Sequence, residues 1–257
     1  SQTGFYDTPG FAMKTVLQGN YAFVADLTQG MRILDISNLT SPQSIGTYVP
    51  STWVISVAVQ GNYAFVARYN GGAAVLDVSV PSLPVEVATI ENIGTTRDVD
   101  ISGSFLYVVS EDSGLIVYDI TNPVLPVRKG KLSFESLAIG ITVKQPFASV
   151  SVTDFGVRIV DIQDPLFPVE VGYYNTPGSA SATGVYGDVV FAADYTKGLQ
   201  IFRNNLDPGI INTPTNLVAS SSTPKKVRLD WTDNANNETG YVVERAAGDS
   251  TSGNTFS

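Results

Sequence analysis

The chain has no cysteine and no histidine, and each absence excludes chemistry before any motif is read. Without cysteine there are no disulfides, no thiolate metal sites and no sulfur nucleophile. Without histidine the usual general base near neutral pH is missing, so a Ser-His-Asp triad or a His-based zinc site cannot exist. Basic charge is also scarce: 15 Lys and Arg stand against 24 Asp and Glu, a net charge of −9. That balance argues against nucleic acid or an anionic membrane surface as partner, since both need clustered cations. No run reaches the ~18 apolar residues that cross a bilayer, so no membrane insertion is expected. The opening SQTGFYDTPG has neither a charged nor an apolar leader region, which reads as a removed signal or a fragment.

What the chain does have is a period. Gly30, Gly72, Gly114, Gly156 and Gly198 fall 42 residues apart, as do Asp35, Asp77, Asp119 and Asp161, and Pro42, Pro84, Pro126 and Pro168. This is about the length of one four-stranded propeller blade. In the first copy KTVLQ, YAFVAD, MRILDI and QSIGTYV read as four strands, separated by Gly19-Asn20, the turn ending at Gly30, and the loop SNLTSP. The middle strands are apolar at successive positions, as in sheets covered on both faces. No helical period is present, so the region is all-β.

The repeated positions read as scaffold. Ile33, Val75, Val117, Ile159 and Ile201 are core, and the recurrent glycine supplies a positive φ. The Asp series ends each third strand, where a short carboxylate accepts loop amides in an Asx turn.

The ends suggest how the ring closes. GFYDTPG at 4–10 matches GYYNTPG at 172–178, four periods away, so the chain begins with a fourth strand. The fifth copy stops after three strands, with Arg203 in the Asp slot. Pairing residues 3–8 with the strand around 199–202 completes a five-bladed β-propeller and removes exposed sheet edges. A piece of a larger propeller has the same register and stays open as an alternative.

The segments GMRILDISNLTSP, GLIVYDITNPVLP and GVRIVDIQDPLFP resemble the LVIVD repeat, found in predicted propellers of bacterial and archaeal surface or secreted proteins. The resemblance spans residues 1–205 and implies an extracellular or cell-surface location in a prokaryote; it carries no catalytic residues. After a linker at 206–213, residues 214–257 resemble the first half of a fibronectin type III domain. That resemblance rests on Pro214, Leu217, Leu229, Trp231, Gly240 and Tyr241, with strands at 216–219, 226–231 and 241–245. Such a sandwich needs about 100 residues, so the native protein is expected to continue past Ser257.

Chemistry is left to the loops. Turns between second and third strands share one face with the inter-blade connections, and function favours loops on a rigid scaffold. The candidate ligand-binding residues there are Asp26, Trp53, Tyr69, Glu111, Asp112, Asp154, Phe155, Asp194 and Tyr195, accompanied by Arg68, Glu91 and Glu135. Acids mixed with aromatics suit a sugar, a cation or a basic partner, while solvated turns on an acidic protein account for the same residues as solubility features. No catalytic residue, metal ligand or cofactor is assigned; calcium is the one ion that the acidic loops suggest.

The expectation is a monomeric, non-catalytic recognition or adhesion module for a protein or glycan. The alternative is a glycoside hydrolase or another carbohydrate-active enzyme using acids in the central funnel. Asp98 and Asp100 are the only close acidic pair on an inner strand, about 7 Å apart by strand geometry, and their equivalents in the other copies are not acidic.

Overall fold

The computed structural model describes residues 2–91, 93–203, 215–223 and 226–232. The chain divides into two compact units, Ser1–Arg203 and Asn204–Ser257.

The first unit is built from antiparallel sheets that follow the 42-residue period. Sheet 1 comprises β1 (Lys14–Gln18), β2 (Tyr21–Ala25), β3 (Met31–Asp35) and β4 (Gln43–Tyr48). Sheet 2 comprises β5 (Val54–Gln60), β6 (Tyr63–Arg68), β7 (Gly72–Asp77) and β8 (Val85–Ile90). Sheet 3 comprises β9 (Thr96–Ser102), β10 (Phe105–Ser110), β11 (Gly114–Asp119) and β12 (Val127–Leu132). Sheet 4 comprises β13 (Ala138–Lys144), β14 (Phe147–Val152), β15 (Gly156–Asp161) and β16 (Val169–Tyr174). Sheet 5 has three strands, β17 (Ala180–Tyr186), β18 (Val189–Asp194) and β19 (Gly198–Arg203). The first strands of successive sheets are neighbours, β1 beside β5, β5 beside β9, β9 beside β13 and β13 beside β17. Among the described residues there is no helix, and so none long and apolar enough to cross a membrane.

Both faces of the middle sheets are buried, which explains the unbroken apolar runs. Phe23, Ala25, Met31 and Ile33 of sheet 1 pack on Val57, Ala64, Val66, Ala74 and Leu76 of sheet 2. The opposite face of sheet 2, Phe65, Ala67, Ala73 and Val75, packs on Val99, Leu106, Val108 and Ile116 of sheet 3. Tyr107, Val109, Leu115 and Val117 continue onto sheet 4. Each of the larger apolar side chains, Val, Leu, Ile, Met and Phe, contributes about 2 kcal/mol on burial, so the interfaces between sheets are the main cohesive force.

Local chemistry terminates the strands as the repeats imply. The five glycines at the second-to-third-strand turn all have positive φ, from 69° at Gly72 to 77° at Gly30. At Gly72 a Cβ would also lie 2.0 Å from the Ile90 carbonyl oxygen, so the turn excludes a side chain twice over. Asp35, Asp77, Asp119 and Asp161 each accept the amide two residues on, at 2.8–2.9 Å. These are Asx turns.

The N-terminal segment differs from the expected closing strand. Residues 3–8 form no strand, and among the described residues β19 pairs with β18 alone. Instead Tyr6 packs on Ala22, Val24 and Leu34 of sheet 1, and the Gly10 N–H donates to Asp26 Oδ2 at 3.1 Å. A Cβ at Gly4 would meet the Leu39 carbonyl, as one at Gly46 of β4 would meet that of Pro81. The segment thus sits on sheet 1 as β4 sits on sheet 2, held by side-chain packing rather than by a ladder.

In the second unit, β20 (Thr215–Thr223) and β21 (Lys226–Thr232) pair antiparallel. The third strand expected at 241–245 lies outside the described residues.

Candidate functional site

One irregularity, repeated in four sheets, builds the site. In each first strand a β-bulge leaves one residue without a partner. Ile55 falls between the pairs of Val54 and Ser56, and Arg97 between those of Thr96 and Asp98. Ile139 and Ser181 occupy the same position in β13 and β17. A bulge re-aims the extra side chain, and all four line one cavity of about 970 Å³. Met13, their equivalent ahead of β1, lines it too.

Above that tier stand aromatics. Trp53 and Tyr69 stack with centroids 5.4 Å apart and planes at 21°. The Arg97 guanidinium lies over the Tyr69 ring at 5.6 Å, and Arg97 Nε lies 3.5 Å from Glu111 Oε1. Trp53 lines the cavity and is 47% exposed. Leu27, at the turn position equivalent to Tyr69, lines the cavity with φ of 50°, the one non-glycine among the described residues in the left-handed region. Reciprocal bonds of its N–H and C=O with Val54, both 3.0 Å, hold it there. Strain of this kind persists only where surroundings over-determine it.

Below the bulges lies a charged floor. Asp98 Oδ1 accepts from Lys14 Nζ at 2.7 Å and Ser56 Oγ at 2.6 Å, and its Oδ2 accepts the Ile141 N–H at 2.9 Å. Asp100 accepts the Val143 and Ile101 amides at 2.7 and 2.8 Å. Strands β9 and β13 share no ladder, so the two carboxylates stand in for one by capping alternate amides of β13. Burial pushes the Asp100 carboxyl above the ordinary range, against the opposing pull of those amides and Lys14, while Asp98 adds to the rise.

The comparison with known families follows this geometry: residues 9–49, 54–91, 93–133 and 137–176 match the LVIVD repeat. The chain belongs to the LVIVD repeat family. Its fifth copy lies outside the match, consistent with Arg203 standing in the Asp slot. No curated protein matches the chain. Among solved structures it is similar to the computationally designed Ika8 protein, with TM-score 0.61 and 10% identity over 92% of this chain and 78% of that one. The designed Ika4 protein gives TM-score 0.50 and 10% identity over 60% and 92%. At such identity the likeness concerns the fold alone.

Within this LVIVD chain the turns and inter-sheet connections do meet on one face, since Tyr69 N–H donates to Trp53 O, Glu111 N–H to Thr95 O, and Tyr195 N–H to Ser179 O. The candidate residues there separate into three groups. Trp53 and Tyr69 line the cavity and Glu111 steadies it through Arg97. Asp26 is fully buried and Asp194 is 3% exposed, so neither is offered to a ligand. Asp194 instead accepts the amides of Gly178, Thr196 and Lys197; burial alone would raise its carboxyl, but these bonds hold it below the ordinary range. The remainder lie apart from the cavity: Asp112 faces Thr95, Asp154 accepts from Ser136 Oγ, and Tyr195 is exposed. Phe155 packs under Arg158, which also lies 4.9 Å from the Tyr173 ring.

Sequence reasoning missed the bulge tier. Its signal was available in the copies themselves, where Met13, Ile55, Arg97, Ile139 and Ser181 vary in chemistry while the positions before them, Ala12, Val54, Thr96, Ala138 and Ala180, stay small or β-branched. Among the described residues no group of three or more Asp and Glu is close enough to hold a metal.

Proposed function

We propose that this chain is a non-catalytic recognition module, secreted or held at a prokaryotic cell surface, that takes a protein or glycan ligand at the mouth of its central funnel. The observation that carries it is the Trp53–Tyr69 stack at the rim of a cavity lined from all five sheets. A large pocket with a few converging polar groups is the default binding site of a fold.

In this reading the five sheets are blades of a propeller, and residues 3–8 join β19 as its fourth strand. Leu199 and Ile201 are 63% and 61% exposed, whereas their equivalents Val157 and Ile159 are buried. Covering that pair adds about 2 kcal/mol per side chain. The hairpin of β20 and β21 begins a fibronectin type III spacer, and the module acts as a monomer.

A hydrolase reading draws on Asp100, whose raised carboxyl faces the funnel beside Asp98. It is disfavoured because both carboxylates are committed to backbone amides, leaving no free acid and base to flank a glycosidic bond.

Screening the full chain on glycan and peptide arrays, with calcium and with EDTA, tests the proposal. Saturable binding without turnover, lost in Trp53→Ala, is expected. Hydrolysis abolished by Asp98→Asn in a folded variant overturns it.

A further inference from the structure

The funnel is divided by chemistry, and the division names a ligand class. On the side of sheets 1 and 2 it is apolar, with Phe11, Met13, Leu27, Trp53 and Ile55. Sheets 3, 4 and 5 add polar groups to the lining, Arg97, Asp100, Thr142, Ser181 and Thr183, with Ile139 and Ile141 among them. The charged groups are already engaged: Lys14 pairs with Asp98 and Arg97 with Glu111, and Asp100 accepts the Ile101 and Val143 amides. An ionic ligand would have to break these pairs, whereas a neutral one leaves them intact.

The geometry points to the terminal rings of a neutral oligosaccharide, entering end-on from the loop face. This rests on the recognition reading above and narrows it to one chemical class. A pyranose has an apolar C–H face and a hydroxyl edge, matching an aromatic wall with hydrogen-bonding groups in the same cavity. Trp53 supplies the wall. Its plane is fixed from behind by Tyr69, and Tyr69 in turn by Arg97, so little side-chain freedom is lost on binding. Among the described residues no hydrogen bond engages Trp53 Nε1 or Tyr69 Oη, and Arg97 spends only one edge on Glu111, so all three have capacity for hydroxyls. A peptide would leave much of its backbone unpaired against the apolar side, which favours the sugar.

The test is a calorimetric titration of the full chain, with Trp53 fluorescence in Trp231→Phe as a second readout wherever Trp53 is kept. The probes are cello-, xylo-, manno- and chito-oligosaccharides, with oligogalacturonate as an anionic series and aromatic-rich peptides as a third. Saturable binding of at least one neutral series is expected, weakened about tenfold by Trp53→Ala as for a lost aromatic contact and less by Trp53→Phe. Arg97→Gln should also weaken binding, since it removes a donor and the group over Tyr69, and circular dichroism checks that each variant is folded. Saturation by oligogalacturonate or peptide alone overturns the neutral-sugar assignment while leaving the funnel as the site. Neutral-sugar binding that survives Trp53→Ala overturns both, and silence of every neutral series overturns the assignment.

Discussion

Asp98 on β9 accepts the backbone N–H of Ile141 on β13 at 2.9 Å, although the two strands belong to different sheets. The inner strands of adjacent sheets run side by side without a ladder, and their inward amides need other acceptors. Asp98 and Asp100 provide two, at alternate residues, because side chains at i and i+2 share a strand face. The acidic pair that looked like chemistry is a clasp between repeats.

Removing the clasp should cost stability rather than activity. Asp98→Ala leaves the Ile141 N–H and the buried Ser56 hydroxyl without their acceptor, and releases Lys14. A loss of about 3 kcal/mol is expected, since each orphaned buried donor costs about 1–3 kcal/mol. Asp98→Asn, which keeps one acceptor oxygen, should lose about half as much. Urea unfolding of the three proteins decides it, and equal midpoints would remove the clasp.

Acidification should act on two sets of carboxylates in opposite directions. Asp35 is held below its ordinary range by the Ser37 amide, and Asp77 and Asp119 by the hydroxyls and amides of Ser79 and Thr121. Their folded pKa lies beneath the unfolded one, so the stability they contribute is complete above the unfolded value and is lost as pH falls through the folded one. Asp100 is raised by burial, so its native state binds the proton first and stability rises as pH falls from its folded pKa toward the unfolded value. Asp77→Asn should therefore flatten the acid limb of a urea-midpoint profile, and Asp100→Asn should steepen it. The same slope in all three proteins would contradict both assignments.

The strands were legible because five copies average away local ambiguity. KTVLQ, YAFVAD and MRILDI correspond to β1, β2 and β3 within a residue, and the recurrent glycines and aspartates have the turn roles their spacing implies. The site was legible only in part. Trp53 and Tyr69 stood out as aromatics on loops, but a bulge shifts pairing by one residue with no marker in a single strand, so Arg97 and Ile55 were hidden. Asp26 and Asp194 misled for a different reason. Each occurs with a glycine sixteen residues earlier, Gly10 and Gly178, whose amides they accept and beside which a Cβ would collide. That coupling within the copies marks a buried anchor, whereas acidity alone suggests an exposed loop.

Two glycines with similar backbone should respond differently to alanine. Gly19 has φ of 58° with open space around the Cβ position, whereas Gly72 has φ of 69° with the Ile90 carbonyl in the way. Gly19→Ala should cost about 1 kcal/mol, the left-handed penalty alone. Gly72→Ala should cost clearly more, because the turn must also move away from the end of β8. Thermal midpoints measured together test the order, and a reversal would show that backbone strain, not the close approach, governs this turn.

Closure of the ring can be read directly because the chain has no cysteine of its own. In sheet 4 the register sets Val157 against Tyr174, Arg158 against Tyr173 and Ile159 against Gly172. Moving one repeat along β19 and four repeats back along the N-terminal segment places Phe5 opposite Gln200 and Tyr6 opposite Leu199. Directly opposed residues in antiparallel strands have Cα atoms about 4.5–5.5 Å apart, within disulfide reach. Phe5→Cys with Gln200→Cys should then oxidise within one chain, shifting mobility on a non-reducing gel without forming dimers and raising the thermal midpoint. A shift of the cysteine pair to Phe5 and Phe202 should oxidise poorly, because it leaves the register by two residues along the same face, about 7 Å. Dimers linked through the same two positions would mean that the segment completes the sheet of a second copy, and two free thiols after oxidation would mean that β19 keeps an open edge.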